Sequence, residues 1–251
     1  MGYILLRSSF LEGESMINSS QPFLYVNNNG QKCLLYCYAD SLRTLVFGNE
    51  YSIRTWKIYH KNYVTNEIIS IPTPRAHELH GEVILECNPH CYADKLYYTA
   101  GFNKGPNTPI VYYLCSLDIS PLDPTVVSNF TIIQQTFSGT VINNTAYYTN
   151  KRGRVLKGID NPQEFDLGFI NIYRLNKIFN EDKFIVTGQS ADRQYFSLLT
   201  DNLFNVIKEL KNNNNDPIYK CSLLGNQLVY TLKLDHISYE SRELVEETIN
   251  V

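Results

Sequence analysis

Between His77 and Cys91 the chain concentrates side chains able to hold a metal: His77, His80, Glu82, Cys87, His90 and Cys91. Three of the five histidines and two of the six cysteines fall in this one stretch. Zinc takes His and Cys in fours, commonly as close pairs. The spacing argues against such a site. His77 and His80 are three apart, but Cys87 to Cys91 read as strand, where successive residues face opposite ways. On that reading Cys87 and Cys91 share one side and His90 takes the other. Cys33 and Cys37 repeat the four-residue spacing with no histidine beside them, as cysteines packed in a core would. The expectation is no metal, no cofactor, and free thiols in a reducing compartment.

Other reactive arrangements are missing from the sequence. It has no Gly-rich phosphate loop, no Gly-x-Ser-x-Gly elbow and no His-Glu-x-x-His pair. The net charge is −3 and charged residues make up 19%, so no strong field draws nucleic acid. The basic run Lys151-Arg-Gly-Arg154 reads as a solvated hairpin turn. No apolar run approaches the ~18 residues a membrane span needs, and the first residues do not resemble a signal peptide. The expected partners therefore exclude nucleic acid and membrane, and the expected location is cytoplasmic or virion-associated. Oligomeric state is not encoded.

These residues must be positioned by β-structure. From Glu86 to Asp118, tyrosine- and aliphatic-rich runs alternate with Asp, Gly, Pro and Asn, which is the signal for a meander of antiparallel strands. Five similar segments start at residues 32, 95, 145, 183 and 227: Lys32-Cys-Leu-Leu-Tyr36, Lys95-Leu-Tyr-Tyr-Thr99, Thr145-Ala-Tyr-Tyr-Thr149, Lys183-Phe-Ile-Val-Thr187 and Gln227-Leu-Val-Tyr-Thr231. Each follows a turn-like residue and is preceded by another short strand: Gln21 to Tyr25, Asn88 to Tyr92, Gly139 to Ile142, Asn176 to Phe179 and Tyr219 to Leu223. Later strands are expected at Ser52 to Tyr59, Glu67 to Ile71, Ile110 to Leu117, Thr125 to Ile133, Arg154 to Ile159, Phe165 to Ile172, Gln194 to Thr200 and Asn205 to Leu210.

One such sheet leaves both faces wet, whereas five around an axis bury them against each other. The expected fold is all-β: a single five-bladed β-propeller of four-stranded antiparallel sheets, with repeats at about 17–73, 74–134, 135–173, 174–211 and 212–251. The tail from Tyr239 supplies a third strand to the last repeat, and Tyr3 to Leu11 at the N-terminus closes the ring as its fourth. A β-sandwich is the alternative architecture.

Asn88-Pro-His-Cys-Tyr, two turn residues and Lys-Leu-Tyr-Tyr-Thr-Ala-Gly resemble the first and second strands of a blade in the arabinanase- and xylosidase-type glycoside hydrolases. The resemblance covers about 30 residues directly. It implies a five-bladed propeller with a funnel mouth where acidic groups cleave glycosides. In that family the residue before the proline is an aspartate; here the two equivalent positions are Asn88 and Gln21. An amide cannot exchange a proton at neutral pH, and glycoside hydrolysis needs two carboxyl groups. Glu82, Glu86, Asp166 and Glu181 are the carboxylates left over.

The function expected is a non-catalytic binding or assembly module that recognises a glycan or protein partner. Its candidate binding residues are Asn88, His90, Gln21, His80 and Glu82, near the Arg75 to Glu86 loop; no catalytic residue is assigned. A glycoside hydrolase with relocated acids and a structural component of a virus or phage particle are the alternatives. The 19 tyrosines and the Asn27-Asn28-Asn29 and Asn212 to Asn215 runs suit a binding surface, and equally the codon bias of a low-GC genome.

Overall fold

The computed structural model describes residues 20–46, 49–105, 108–120, 123–150, 153–231 and 244–249. All regular structure among them is β-strand, in five antiparallel sheets whose strands follow chain order. The first sheet holds β1 (Ser20–Val26), β2 (Lys32–Val46), β3 (Asn49–Asn62) and β4 (Ile68–Ser70). The second holds β5 (Ala76–His77), β6 (Gly81–Tyr92), β7 (Lys95–Asn103), β8 (Val111–Ile119) and β9 (Val127–Gln135). The third comprises β10 (Gly139–Ile142), β11 (Thr145–Thr149), β12 (Arg154–Lys157) and β13 (Gln163–Asp166). The fourth comprises β14 (Asn171–Lys177), β15 (Lys183–Gln189), β16 (Tyr195–Asp201) and β17 (Val206–Leu210). The fifth contains β18 (Tyr219–Leu224), β19 (Gln227–Thr231) and β20 (Leu244–Thr248).

The five segments singled out in the sequence are β2, β11, β15 and β19, each second in its sheet, and β7, third in its sheet behind the extra short β5; each starts at the residue expected. Local chemistry explains why. The β6–β7 turn puts Ala93 and Asp94 at φ 48° and 58°, and the β10–β11 turn puts Asn143 and Asn144 at φ 48° and 61°. Two left-handed residues in a row form the mirror-image turn whose twist matches a hairpin.

Three readings need correction. The Arg75 to Glu86 stretch read as a loop is strand at Ala76–His77 and again from Gly81, so the strand expected at Asn88 starts at Gly81. Phe165 to Ile172 is not one strand: β13 stops at Asp166, whose Oδ1 accepts the Gly168 N–H at 2.9 Å with Gly168 at φ 76°, and Ile172 already belongs to β14. The first strand of the fourth sheet accordingly starts at Asn171, ahead of the expected Asn176. The tail strand appears as β20, paired with β19. The closing strand expected at Tyr3 to Leu11 lies outside the described residues.

The core sits between sheets, as a ring requires. Phe23, Leu35 and Ile58 of the first sheet pack with Leu96, Tyr98 and Leu117 of the second. Val155 of the third packs with Leu175, Phe184 and Val186 of the fourth. Ile185 and Leu199 of the fourth meet Cys221, Leu223 and Leu228 of the fifth. Leu24, Leu34 and Tyr36 then join the first sheet to Val229 and Leu244 of the fifth. Each fully buried leucine contributes about 1.5–3 kcal/mol through the area it removes from water.

Hydrogen bonds stitch the same junctions. Glu86 Oε2 accepts the Ile58 N–H at 3.1 Å, linking sheets one and two. Asn88 Nδ2 and Thr99 Oγ1 both donate to the Phe137 carbonyl at the start of the third sheet, at 2.8 and 2.9 Å. The Ser138 hydroxyl accepts the Leu175 N–H at 2.8 Å, and Ser197 Oγ donates to the Ile218 carbonyl at 3.1 Å. Ser222 Oγ accepts the Leu24 N–H at 2.8 Å and completes the circle.

Candidate functional site

Of the residues chosen from sequence, Asn88 and His90 lie apart from His80 and Glu82. Asn88 and His90 are buried, at 1% and 0% exposure, among the innermost strands. Asn88 sits at φ 54° in a bulge of β6. The His90 ring stacks on Tyr97 with centroids 5.5 Å apart and meets the edge of Phe23 at 5.9 Å. Its Nδ1 lies 3.2 Å from the Asn88 carbonyl, and burial lowers its pKa to about 4, so the ring is neutral. His80 and Glu82 lie at the other end of β6, His80 just before it and Glu82 its second residue; His80 packs on Tyr113 at 4.5 Å and His77 at 4.9 Å, and Glu82 is exposed. Glu82 and His90 pair with Asn103 and Tyr97, six residues apart on β7, roughly 20 Å at the usual rise. Gln21 belongs to β1.

The bulge also corrects the face assignment. Cys87 pairs with Thr99 and His90 with Tyr97, so these two share one side, while Cys91 pairs with Leu96 on the other. The extra residue at Asn88 and Pro89 reverses the alternation. Among the described residues, no three His, Cys, Asp or Glu side chains are grouped to hold a metal ion.

What the fold does assemble is a cavity of about 720 Å³ that no contiguous stretch of sequence reveals. It is lined by the ends of β1 and β6 and by the turns after β1, β3, β6, β8 and β14. The C-terminal ends of β1 and β6 and the turn after β14, from three different sheets, thus open on one face. Asn27, Gln31, Asn62 and Asn180 contribute amides; Tyr25, Tyr92, Phe179 and His60 contribute rings.

The amides are held before any ligand arrives. Asn27 Oδ1 accepts the N–H groups of Asn29 and Gln31 at 3.0 and 2.9 Å, closing a turn in which Gly30 takes φ 74°. Gln31 Oε1 accepts from Asn27 Nδ2 at 3.1 Å and from Asn62 Nδ2 at 2.9 Å. Asn62 Oδ1 in turn accepts the Val64 N–H at 2.8 Å. An Asx side chain that bonds its own turn is rigid, and the network spans two loops. Beneath it Tyr25 packs against Phe179 at 5.9 Å and His60 at 6.0 Å, and Tyr92 donates its hydroxyl to Asn143 Oδ1 at 3.0 Å.

Glu67, Asp94 and Asp123 put exposed carboxylates in the lining, with no Lys or Arg among the described lining residues, so the cavity disfavours an anion. Burial lowers the His60 pKa to about 4, leaving it uncharged, and burial pushes the Cys91 thiol up, so no thiolate is on offer. Glu86, whose pKa burial raises to about 7, resembles a tuned acid in isolation. Its oxygens are committed, however: Oε1 to Thr73 Oγ1 and to Arg75 at 3.3 Å, Oε2 to the Ile58 N–H. It is a fully buried joint between sheets and does not line the cavity.

Sequence reasoning missed the cavity residues because five turns from three sheets build it. The one signal present was Asn27-Asn28-Asn29-Gly30, a turn whose amides the composition alone explained equally well.

Five sheets joined in a ring, with cores and hydrogen bonds at the interfaces, make this chain a five-bladed β-propeller. No protein-family model matches it, and no curated protein matches it. Among solved structures it is similar to the β-1,2-mannobiose phosphorylase from Listeria innocua in complex with β-1,2-mannobiose, at 10% identity and a TM-score of 0.46 over 95% of this chain and 92% of that one. A likeness of that degree carries no inference about activity.

Proposed function

We propose that this propeller is a non-catalytic binding module whose cavity accepts a neutral glycan. The observation that carries the reading is the cavity's lining: preset amides from Asn27, Gln31 and Asn62, with the amide of Asn180, beside the rings of Tyr25, Tyr92 and Phe179. Amides match the paired donors and acceptors of sugar hydroxyls, and aromatic faces match the apolar side of a pyranose. The volume lies within the range of small-ligand sites. A protein partner would be read through the same groups, by a loop presenting hydroxyls or amides.

The carboxylates that line the cavity, Glu67, Asp94 and Asp123, are all exposed, and no buried acid stands among them. The carboxyl with the raised pKa, Glu86, is locked at a sheet junction, and the acid positions of the resembling hydrolases are amides here. Screening the purified chain against an oligosaccharide panel, with aryl glycoside turnover measured in parallel, tests the proposal. Binding without turnover supports it; turnover abolished by a single carboxylate substitution rejects it.

A further inference from the structure

Among the described residues, the hub of the propeller carries a positive charge with no counter-charge. Arg174, on the innermost strand of the fourth sheet, is 0% exposed. Its Nη2 donates to the Pro22 carbonyl across the ring, while Nε and Nη1 have no hydrogen-bond partner among the described residues. The guanidinium acts electrostatically on Cys37, Cys87, Cys221 and His90, groups from the first, second and fifth sheets, which puts it at the axis. Asn176, two residues along a regular stretch of β14 and so on the same face, is 1% exposed, and neither atom of its amide has a partner.

A buried guanidinium without an anion is costly, and arginine cannot shed its proton to escape the cost. The surrounding thiols do not compensate. Burial raises the pKa of Cys221 to about 11 and of Cys87 to about 12, and that of Cys37 well above its usual value, so all three stay neutral. Glu86 acts on Cys37 and Cys87 but is bonded to Thr73, Arg75 and Ile58. Lys220, also buried, adds a second positive field at the same thiols.

We propose that the hub binds one small inorganic anion, which accepts hydrogen bonds from Arg174 Nε and Nη1 and from Asn176 Nδ2. None of these residues lines the large cavity, so the site is separate from it and does not depend on the function proposed above. The anion neutralises the axis and ties the fourth sheet to the first through Arg174 and Pro22. Chloride and phosphate share the required chemistry, and the test separates them.

The full chain, dialysed into a bulky sulfonate salt, is melted while chloride or inorganic phosphate replaces the sulfonate at constant ionic strength. The melting temperature is expected to rise saturably with one of the two, by several degrees well above its dissociation constant. Asn176→Asp supplies the missing negative charge from the protein and should abolish the saturable response. Asn176→Leu removes one donor without adding charge and should raise the half-saturating concentration about tenfold, the worth of one hydrogen bond to a charged group. A wild-type response that is absent, or linear and equal in the wild type and in whichever variant folds, overturns the proposal. A saturable response unchanged by the substitutions does the same.

Discussion

Leu24 and Ser222 are 198 positions apart in the chain, yet the Leu24 N–H donates to the Ser222 hydroxyl at 2.8 Å. Both residues are buried, on the first strands of the first and last sheets. The bond spans the seam where the ring closes, with Leu34, Val229 and Leu244 packed alongside. Ser222→Ala leaves a buried N–H with no acceptor, so it should lower stability by about 1–3 kcal/mol. Urea unfolding checks this; an unchanged midpoint would mean the seam does not contribute to folding.

Acid should destabilise the protein in a way two imidazoles govern. His60 and His90 have pKa values lowered by burial from 6.5 to about 4. Their contribution is present above 6.5 and is lost as pH falls through about 4, on the order of 3 kcal/mol for each. Glu86 works the other way: burial raises it from 4.5 to about 7, so its contribution is present below 4.5 and lost as pH rises through about 7. Going from pH 7 to 4.5, two groups lose stability and one regains it. Urea midpoints should therefore fall across this window, and Glu86→Gln, which removes the opposing group, should steepen the fall. A wild-type stability that grows toward pH 4.5 would contradict the assignment.

Restoring the acid found in the resembling hydrolases should not restore catalysis. Asn88 is 1% exposed and its amide donates to the Phe137 carbonyl at 2.8 Å. Asn88→Asp would face a carboxylate toward that carbonyl oxygen in a dry site, costing about 2–4 kcal/mol at neutral pH. Differential unfolding and an aryl glycoside assay check both halves. A variant as stable as the wild type, or one that turns over substrate, would show that Asn88 stands at an open mouth.

The five recurring strands were legible because each follows a turn residue that ends one strand and forces the next to begin, as at Asp94 and Asn144. The faces of β6 were not, since nothing in Cys87-Asn-Pro-His-Cys91 marks Asn88 as left-handed, and one extra residue swaps every later side chain. Gly168 interrupted a run of apolar residues that read as continuous strand. Arg174 fell between the two strands expected at Phe165 to Ile172 and Asn176 to Phe179, so nothing marked it as a buried strand residue. The cavity depends on loops up to about 150 residues apart, from Asn27 to Asn180, and such proximity is set by ring closure, not by local pattern.

The account rests most heavily on the cavity as a place for grasping sugars. Titration of oligosaccharides into the wild type, Tyr92→Ala and Asn180→Gly, with the ligand analysed afterwards, tests it directly. Glycine keeps the φ of 56° that Asn180 adopts, so that variant removes only an amide. At least one oligosaccharide should bind the wild type, bind each variant about tenfold or more weakly, and be recovered intact. Undiminished binding to both variants, or recovery of cleaved sugar, would contradict the account.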